Sequence, residues 1–308
     1  MSLLTNLVLL AGLSMSISIG ASSIGSVFGP VYSSGFINVF RSALLAGIAA
    51  LLGALLQGHN VVETVGSGML FGEIQLIHAL VILSVAAFLV IVSALGKYPM
   101  PTAFTVVGAV IGCGLGFKLG VSWQVVIKII GFWLLVPVMA LIAGFTFSFI
   151  LKKIHFKSKK RLNYLTLIFG LFLAYTGGAN SVGLAVGPLQ ATKIPLTTIL
   201  MIGGVAMLLG TWILSPKIIN TLSFSYANMS PKMSIAALGT AALLAQGGNF
   251  IGVPISFAEA IAASILGSGL VLGKSNISVK EATLTTAGWI SAFFIAVGVT
   301  FSIGYFFF

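Results

Sequence analysis

Two stretches of this chain are one pattern written twice: GASSIGSVFGP (Gly20 to Pro30) and GANSVGLAVGP (Gly178 to Pro188), separated by 158 residues. Three further landmarks repeat in the same order. LLGALLQGHNVVETV at Leu51 returns as LLGTWILSPKIINTL at Leu208, an offset of 157. KYPMPTAF and IGVPISFAE align Pro99 with Pro254, an offset of 155, and the Gly-aromatic step at Gly131 returns at Gly288, an offset of 157. A nearly constant offset held through the whole chain reads as an internal duplication.

The surroundings of these stretches set the fold class. The 308 residues are 58% hydrophobic and 6% charged, with a mean hydropathy of +1.17. A water-soluble domain carries about 25% charged residues, so this surface is solvated by lipid. Long continuous apolar runs, rather than short alternating ones, argue for helices against a β-barrel. The runs fall at 3–19, 36–56, 76–95, 103–117, 122–150, 163–176, 195–214, 233–247, 257–272 and 284–307. Two of them, 103–117 and 257–272, are short for a span of about 20 residues and follow a Gly/Pro-broken lead-in, as re-entrant hairpins would. The expected class is an all-α polytopic protein of the cytoplasmic membrane. Residues 1–151 form a first transmembrane repeat, 152–162 a basic cytoplasmic loop, and 163–308 a second repeat.

The net charge of +11 comes from 15 Lys and Arg against four acids. Its densest run, KKIHFKSKKR (Lys152 to Arg161), lies between the hydrophobic halves, where the positive-inside rule explains it without nucleic acid. If each repeat crosses the membrane an odd number of times, the second is inverted, loop 152–161 is cytoplasmic, and both termini face outside. Tandem repeats with even crossings would put all three on one side. The lone Cys113 forms no intramolecular disulfide and reads as a small buried residue. MSLLTNLVLLAGLSM lacks a basic leader and reads as the first membrane helix.

A Gly/Ser break at membrane depth frees backbone N–H and C=O groups, which is tolerated only against protein or a watery cavity. Half-helix N-termini there carry about +0.5 charge and free donors, the makings of an anion site. Gly25 and Gly183 allow close backbone approach, while Ser22, Ser23, Ser26, Asn180 and Ser181 add neutral donors. The competing account is tight helix packing through small residues.

The twice-written stretch resembles the signature of the inorganic phosphate transporter (PiT) family, Gly-Ala-Asn-Asp-x-x-Asn-x-x-Gly-Pro/Thr, present once per half. The family's second motif, Pro-x-Ser-Thr-Thr-His, falls on PMPTAF (Pro99 to Phe104) and PISFAE (Pro254 to Glu259). The resemblance implies inverted repeats, broken helices meeting at one oxyanion site, and a homodimer. It adds Thr102 and Ser256 as oxyanion contacts. The departures carry information. The family's aspartates align with Ser23 and Ser181, and its asparagines with Ser22, Ser26, Asn180 and Leu184. Sodium, a hard cation, favours carboxylate oxygen, so these serines count against sodium coupling. Phosphate near neutral pH keeps a proton that a carboxylate can accept, whereas sulfate only accepts hydrogen bonds and is repelled by one. A site of neutral donors therefore suits sulfate, as in the CysP-type sulfate permease branch of the family.

The four acids are Glu63, Glu73, Glu259 and Glu281. Ionisable residues inside a membrane are functional candidates by default, which makes Glu259 and Glu73 candidates for proton coupling. Glu73 reads equally as a charge before a helix N-terminus. The expected function is proton-coupled sulfate import. Alternatives are a phosphate transporter that lost its sodium sites and an anion channel. A membrane enzyme would need paired acids or a metal cluster; with no Asp and three scattered His (His59, His78, His155), neither pattern occurs, and no cofactor or metal is implied.

Overall fold

Ten principal helices follow the ten apolar runs in a computed structural model that describes residues 2–25, 28–33, 36–95, 101–156, 158–222, 229–273 and 278–308. In the first half they are α1 (Leu3–Ile19), the short α2 (Gly29–Ser33), α3 (Val39–Gln57), the short α4 (His59–Glu63), α5 (Leu76–Leu95), α6 (Thr102–Gly116) and α7 (Trp123–Lys153). The second half has α8 (Lys159–Val186), α9 (Leu196–Leu222), α10 (Pro231–Phe250), α11 (Phe257–Leu270) and α12 (Val279–Phe307). Seven helical stretches among the described residues are long and apolar enough to cross a membrane. Helices α6 and α11 are not: their 15 and 14 residues rise about 22 Å against a hydrocarbon core of about 30 Å.

Polar residues mark the helix starts. Ser2, Asn38, Ser230 and Ser256 each accept a hydrogen bond from the backbone N–H three residues on, at 3.2, 2.9, 3.4 and 3.4 Å. Such caps satisfy a donor that the helix leaves orphaned, and each contributes about 1 kcal/mol. At the far end of α7, Lys152 and Lys153 lie in the last turn. Lys232 of α10 donates to the Ile154 carbonyl at 2.6 Å, so cations compensate that helix C-terminus. Half of the basic run is therefore helix. Lys152 and Lys153 end α7, Lys159 to Leu162 begin α8, and the connection is shorter than the charge run suggested.

Helices of the two halves pack in matched pairs. Helix α3 packs on α8 and α9 on α1; α6 packs on α12 and α11 on α7; α5 lies on α1 as α10 lies on α8. Glycines set these crossings at matching positions. A Cβ on Gly20 would collide with the backbone of Met207, and one on Gly178 with the backbone of Ala50. Added at Gly53 it would meet Tyr175, and at Gly210, Ile17. Removing the side chain lets the backbones approach, the usual solution where lipid offers no hydrophobic gain for helix association. The outward faces of α7 and α12 stay apolar and exposed, with Leu134, Ile142, Ile290 and Phe294 each at least half exposed.

Candidate functional site

Both signature segments stay helical at their first glycines and change at their last: a new short helix, α2, starts at Gly29 after a turn at Phe28, and α8 gives way to a 3-10 turn at Gly187. The first continues α1 as a π-helical turn, Gly20–Ile24, closed by the Gly25 N–H on the Gly20 carbonyl. The second follows α8 as far as Val186, and its last two residues, Gly187 and Pro188, begin a 3-10 turn, Gly187–Thr192. The first glycines stay helical because they sit at helix crossings, where packing rewards a regular backbone without a side chain. Half-helix N-termini are supplied by the short helices instead. Helix α6 begins after Pro101 with no side-chain cap, so its first N–H groups lack an intrahelical or capping partner. Helix α11 begins after Ser256, which caps it.

The segments converge around Gly177. A Cβ there would lie 3.0 Å from the Ile24 Cδ1 of the first signature and 2.8 Å from the Phe257 ring at the start of α11. One turn on, Asn180 is fully buried. In one carboxamide orientation its Nδ2 donates to Asn249 Oδ1 at 3.1 Å and to the Val253 carbonyl at 3.5 Å. Turned over, it donates to the Ile255 carbonyl at 3.1 Å and accepts from the Ile255 N–H at 3.0 Å. Only the second orientation satisfies both ends of the amide, since the first sets its oxygen against the Ile255 carbonyl and its nitrogen against the Ile255 N–H; the paired bonds to Ile255 tie the second signature to the loop that leads into α11. Asn249 closes the bridge by donating to the Thr176 carbonyl at 2.8 Å.

Ser181, Thr102 and Ser256 are buried. Ser22 is half-buried and donates to the Ser18 carbonyl at 2.7 Å; Ser23 beside it is also half-buried. Ser26 lies outside the described residues, as does Pro99. Gly25 and Gly183 are buried at helix contacts, against Ser215 of α9 and Val61 of α4. Their closest neighbours are thus protein atoms. Phe104, at the last position of the first hairpin motif, stacks on Trp133 with centroids 3.9 Å apart. Trp133 in turn donates to the Pro254 carbonyl at 2.9 Å, joining the first short-helix region to the lead-in of the second.

Glu259, at the matching position of the second motif, is 7% exposed. It lines a cavity of about 230 Å³ between α7, α11 and α12, with Pro137, Thr285, Thr286 and Trp289. Glu73 is exposed in a cleft of about 660 Å³ that also presents Ser67, Gln75, Gln190 and Lys193. The two acids considered for coupling are thus set apart: one is inside the helix packing, the other at a surface cleft.

Asn249, Asn60 and Thr64 carried no motif that singled them out. Asn60 donates to the Asn249 carbonyl at 3.0 Å, and Thr64 to the Gly252 carbonyl at 2.6 Å. Their only trace in the sequence is an Asn one turn beyond Gln57, itself hydrogen-bonded to Gln246 at 2.8 Å. Among the described residues no group of three or more His, Cys, Asp or Glu could hold a metal ion. The arrangement is a buried set of amides, hydroxyls and helix N-termini, which is the chemistry of oxyanion binding without formal charge.

Comparison with known proteins identifies the family and the fold. Over 95% of its length the chain is 30% identical to the sulfate permease CysP of Bacillus subtilis, covering 85% of that protein. It is 20% identical to the chloroplastic inorganic phosphate transporter 2-1 of Arabidopsis thaliana over 98% of this chain and 72% of that one. A solved structure described as the sodium-dependent phosphate transporter superposes with a TM-score of 0.86 at 18% identity, covering 99% of this chain and 98% of the other. That identity speaks for the fold alone. The sequence profile of the phosphate transporter family matches residues 19–300, and the chain belongs to this family of membrane transporters, not enzymes.

Proposed function

We propose that the protein is a secondary active transporter that imports inorganic sulfate across the cytoplasmic membrane, coupled to protons. The carrying observation is the neutrality of the buried polar set. Ser22, Ser23 and Ser181 stand at signature positions, and Asn180 is held by Asn249 and backbone rather than by a carboxylate. Sulfate, which only accepts hydrogen bonds, is served by such donors, and a carboxylate facing it would be repulsive. The likeness to a sulfate permease supports the same substrate. Substrate contacts in this reading are Ser22, Ser23, Gly25, Ser26, Thr102, Asn180, Ser181, Gly183 and Ser256.

Glu259 is the proposed proton carrier, because it is a buried acid on the same short helix that Ser256 caps. Glu73 is the second candidate. Serine at the family's aspartate positions removes the charge compensation that sodium would use. In this reading, residues 1–151 and 163–308 are inverted repeats around a cytoplasmic 152–162 connection, with both termini outside. Two copies form a homodimer. Alternating access moves one bundle against the other about the fixed site.

Reconstitution in liposomes tests the proposal. Labelled sulfate uptake should follow an imposed proton gradient and be competed by sulfate more strongly than by phosphate. Uptake of phosphate with sulfate ignored, the outcome that the family profile and the Arabidopsis relative would favour, sinks the substrate assignment. Uptake that follows sodium and not protons sinks the coupling assignment, and continuous conductance without counterflow would make the protein a channel.

A further inference from the structure

Of the acids, Glu63 and Glu73 are exposed, whereas Glu259 is buried. It stands in the first turn of α11, three residues past the Ser256 cap. Among the described residues the Ser256 hydroxyl is the polar group that meets its carboxyl, and no cation is paired with it. A buried carboxylate without a counter-charge is costly, so the surroundings of Glu259 matter.

Those surroundings form a slot. The cavity of about 230 Å³ beside Glu259 runs between α7, α11 and α12. Ala262 and Ala263 supply one wall and leave room where larger side chains would fill it; Thr285 and Trp289, both buried, supply another. Its volume lies below the roughly 300–1,000 Å³ of drug-sized sites, so its occupant is small. Pro137 lines the slot from α7. Its ring has no N–H, which deprives the Trp133 carbonyl on the same helix face of its helical donor.

The mouth of the slot faces lipid. Val138 on its rim is exposed and lies between the exposed Leu134 and Ile142, one turn to either side on α7. Thr286 on the opposite rim is exposed and precedes the exposed Ile290 by one turn of α12. Both helices are long and apolar enough to cross the membrane.

We propose that this slot is a lipid-side binding site for a small lipophilic amine, entered between α7 and α12, with the ammonium on the Glu259 carboxylate and the hydrocarbon against Leu141, Ala263 and Trp289. An ammonium brings only donors, which the carboxylate and a carbonyl without its helical donor can accept. It also supplies the counter-charge that no residue provides, at a depth where opposite charges attract more strongly than in water. A hydrophilic cation meets the same carboxylate but cannot reach it through hydrocarbon. A neutral lipophile can enter but leaves the acid without a partner. Amine binding is read at equilibrium, so it stands or falls apart from the coupling role proposed for Glu259.

The test uses the purified full-length protein in lipid nanodiscs, with labelled adamantan-1-amine as the probe and adamantan-1-ol as its neutral isostere. The amine should bind saturably, and the alcohol at least about tenfold more weakly. Tetramethylammonium should not displace the amine. Glu259→Gln should weaken the amine by at least about tenfold and leave the alcohol unchanged. Ala263→Leu, which fills the slot beside the acid, should weaken both. Equal affinity for amine and alcohol overturns the proposal, as does amine binding unchanged in Glu259→Gln or Ala263→Leu. Displacement by tetramethylammonium at the same concentration as by unlabelled amine overturns the lipid-side entry. Should Glu259→Gln fail to fold, wild-type protein decides through dicyclohexylcarbodiimide, a lipophilic reagent. The Glu259 carboxyl O–H adds across one C=N bond to give an O-acylisourea, which rearranges to a stable N-acylurea without a by-product and is read by peptide mass. The amine should slow this labelling by at least about tenfold. No labelling of Glu259, or labelling that the amine does not slow, overturns the proposal.

Discussion

Alanine at the signature glycines measures what those glycines are for. In Gly20→Ala the new Cβ would lie 2.9 Å from the Met207 carbonyl carbon and 2.9 Å from the Thr211 nitrogen; in Gly210→Ala it would lie 2.8 Å from the Ile17 carbonyl carbon. Carbon contacts are comfortable near 3.5–4.0 Å, so α1 and α9 must part by about 1 Å. The obstacle is backbone, which cannot swing away as a side chain would. A gap of 0.5–1 Å along the crossing forfeits about a quarter to a half of each contact, and overpacking of this kind costs about 1–3 kcal/mol. Gly178→Ala and Gly53→Ala face the backbone of Ala50 and Tyr175 in the same manner, so all four variants should lose similar stability. Gly131→Ala and Gly298→Ala are the controls. Nothing lies within 4 Å of either added Cβ, and alanine is the better helix former, so they should be neutral or slightly stabilising. The assay is the thermal denaturation midpoint of each variant in detergent, followed by size exclusion. The reasoning is refuted if Gly20→Ala and Gly178→Ala unfold at the wild-type temperature, or if the controls are destabilised as much as the test positions.

Further outcomes follow from the site. Ser181→Asp restores an acid at a signature position. It should depress sulfate binding by at least about tenfold while sparing phosphate, read by competition binding; equal loss of both anions would contradict the charge argument. Glu259→Gln should abolish uptake driven by a proton gradient and leave equilibrium sulfate binding intact, and unchanged pH dependence would remove Glu259 from coupling. Glu73→Gln, at an exposed position, should leave proton-driven uptake within about twofold of wild type, so a complete loss there would move the coupling role to the surface cleft. Trp133→Phe keeps the ring against Phe104 but deletes the bond to the Pro254 carbonyl. It should cost about 1–2 kcal/mol in the same denaturation assay, and no loss would show that water replaces the indole N–H.

The helices were legible from the sequence because lipid enforces long apolar runs: most runs and their helices agree within a few residues, but run 163–176 stops ten residues before the end of α8 and run 195–214 eight before the end of α9, where Gly, Pro and polar residues continue the helix. The short α6 and α11 were legible for the same reason, since a run too short to cross the membrane announces itself by length. Where in the glycine-rich segments the helix changes was not legible: it persists at Gly20 and Gly178 and changes only at Gly29 and Gly187. A Gly-rich segment reads as a break when only local propensity is weighed, and the partners that keep Gly20 and Gly178 helical lie on α9 and α3, far away in sequence. The polar set was half legible. Asn180, Ser181 and Ser256 fall in motifs, but Asn249 and Asn60 are single amides near helix ends, where capping is the default account. Their meaning lies in bonds across the halves that no local window contains.

Packing and polarity divide differently between the halves. The crossings are matched: Gly20 against Met207 answers Gly178 against Ala50, and Gly47 against Leu208 answers Gly204 against Leu51. The polar groups are not matched. Where the second half has Asn180 bonded into the α11 lead-in, the first has Ser22 bonded back to its own helix. Glu259 lines a cavity, while Phe104 at the corresponding motif position fills its space by stacking on Trp133. Packing constrains both halves equally, because each must serve as the other's surface for helix crossing. Under the proposed function, a single small anion needs only one set of donors and one acid for coupling. One half can therefore keep the amide and carboxylate chemistry while the other fills the equivalent positions with hydroxyls and aromatic packing. In the proposed function, substitutions at Asn180 and Glu259 should accordingly change affinity or coupling, and those at Phe104 chiefly stability.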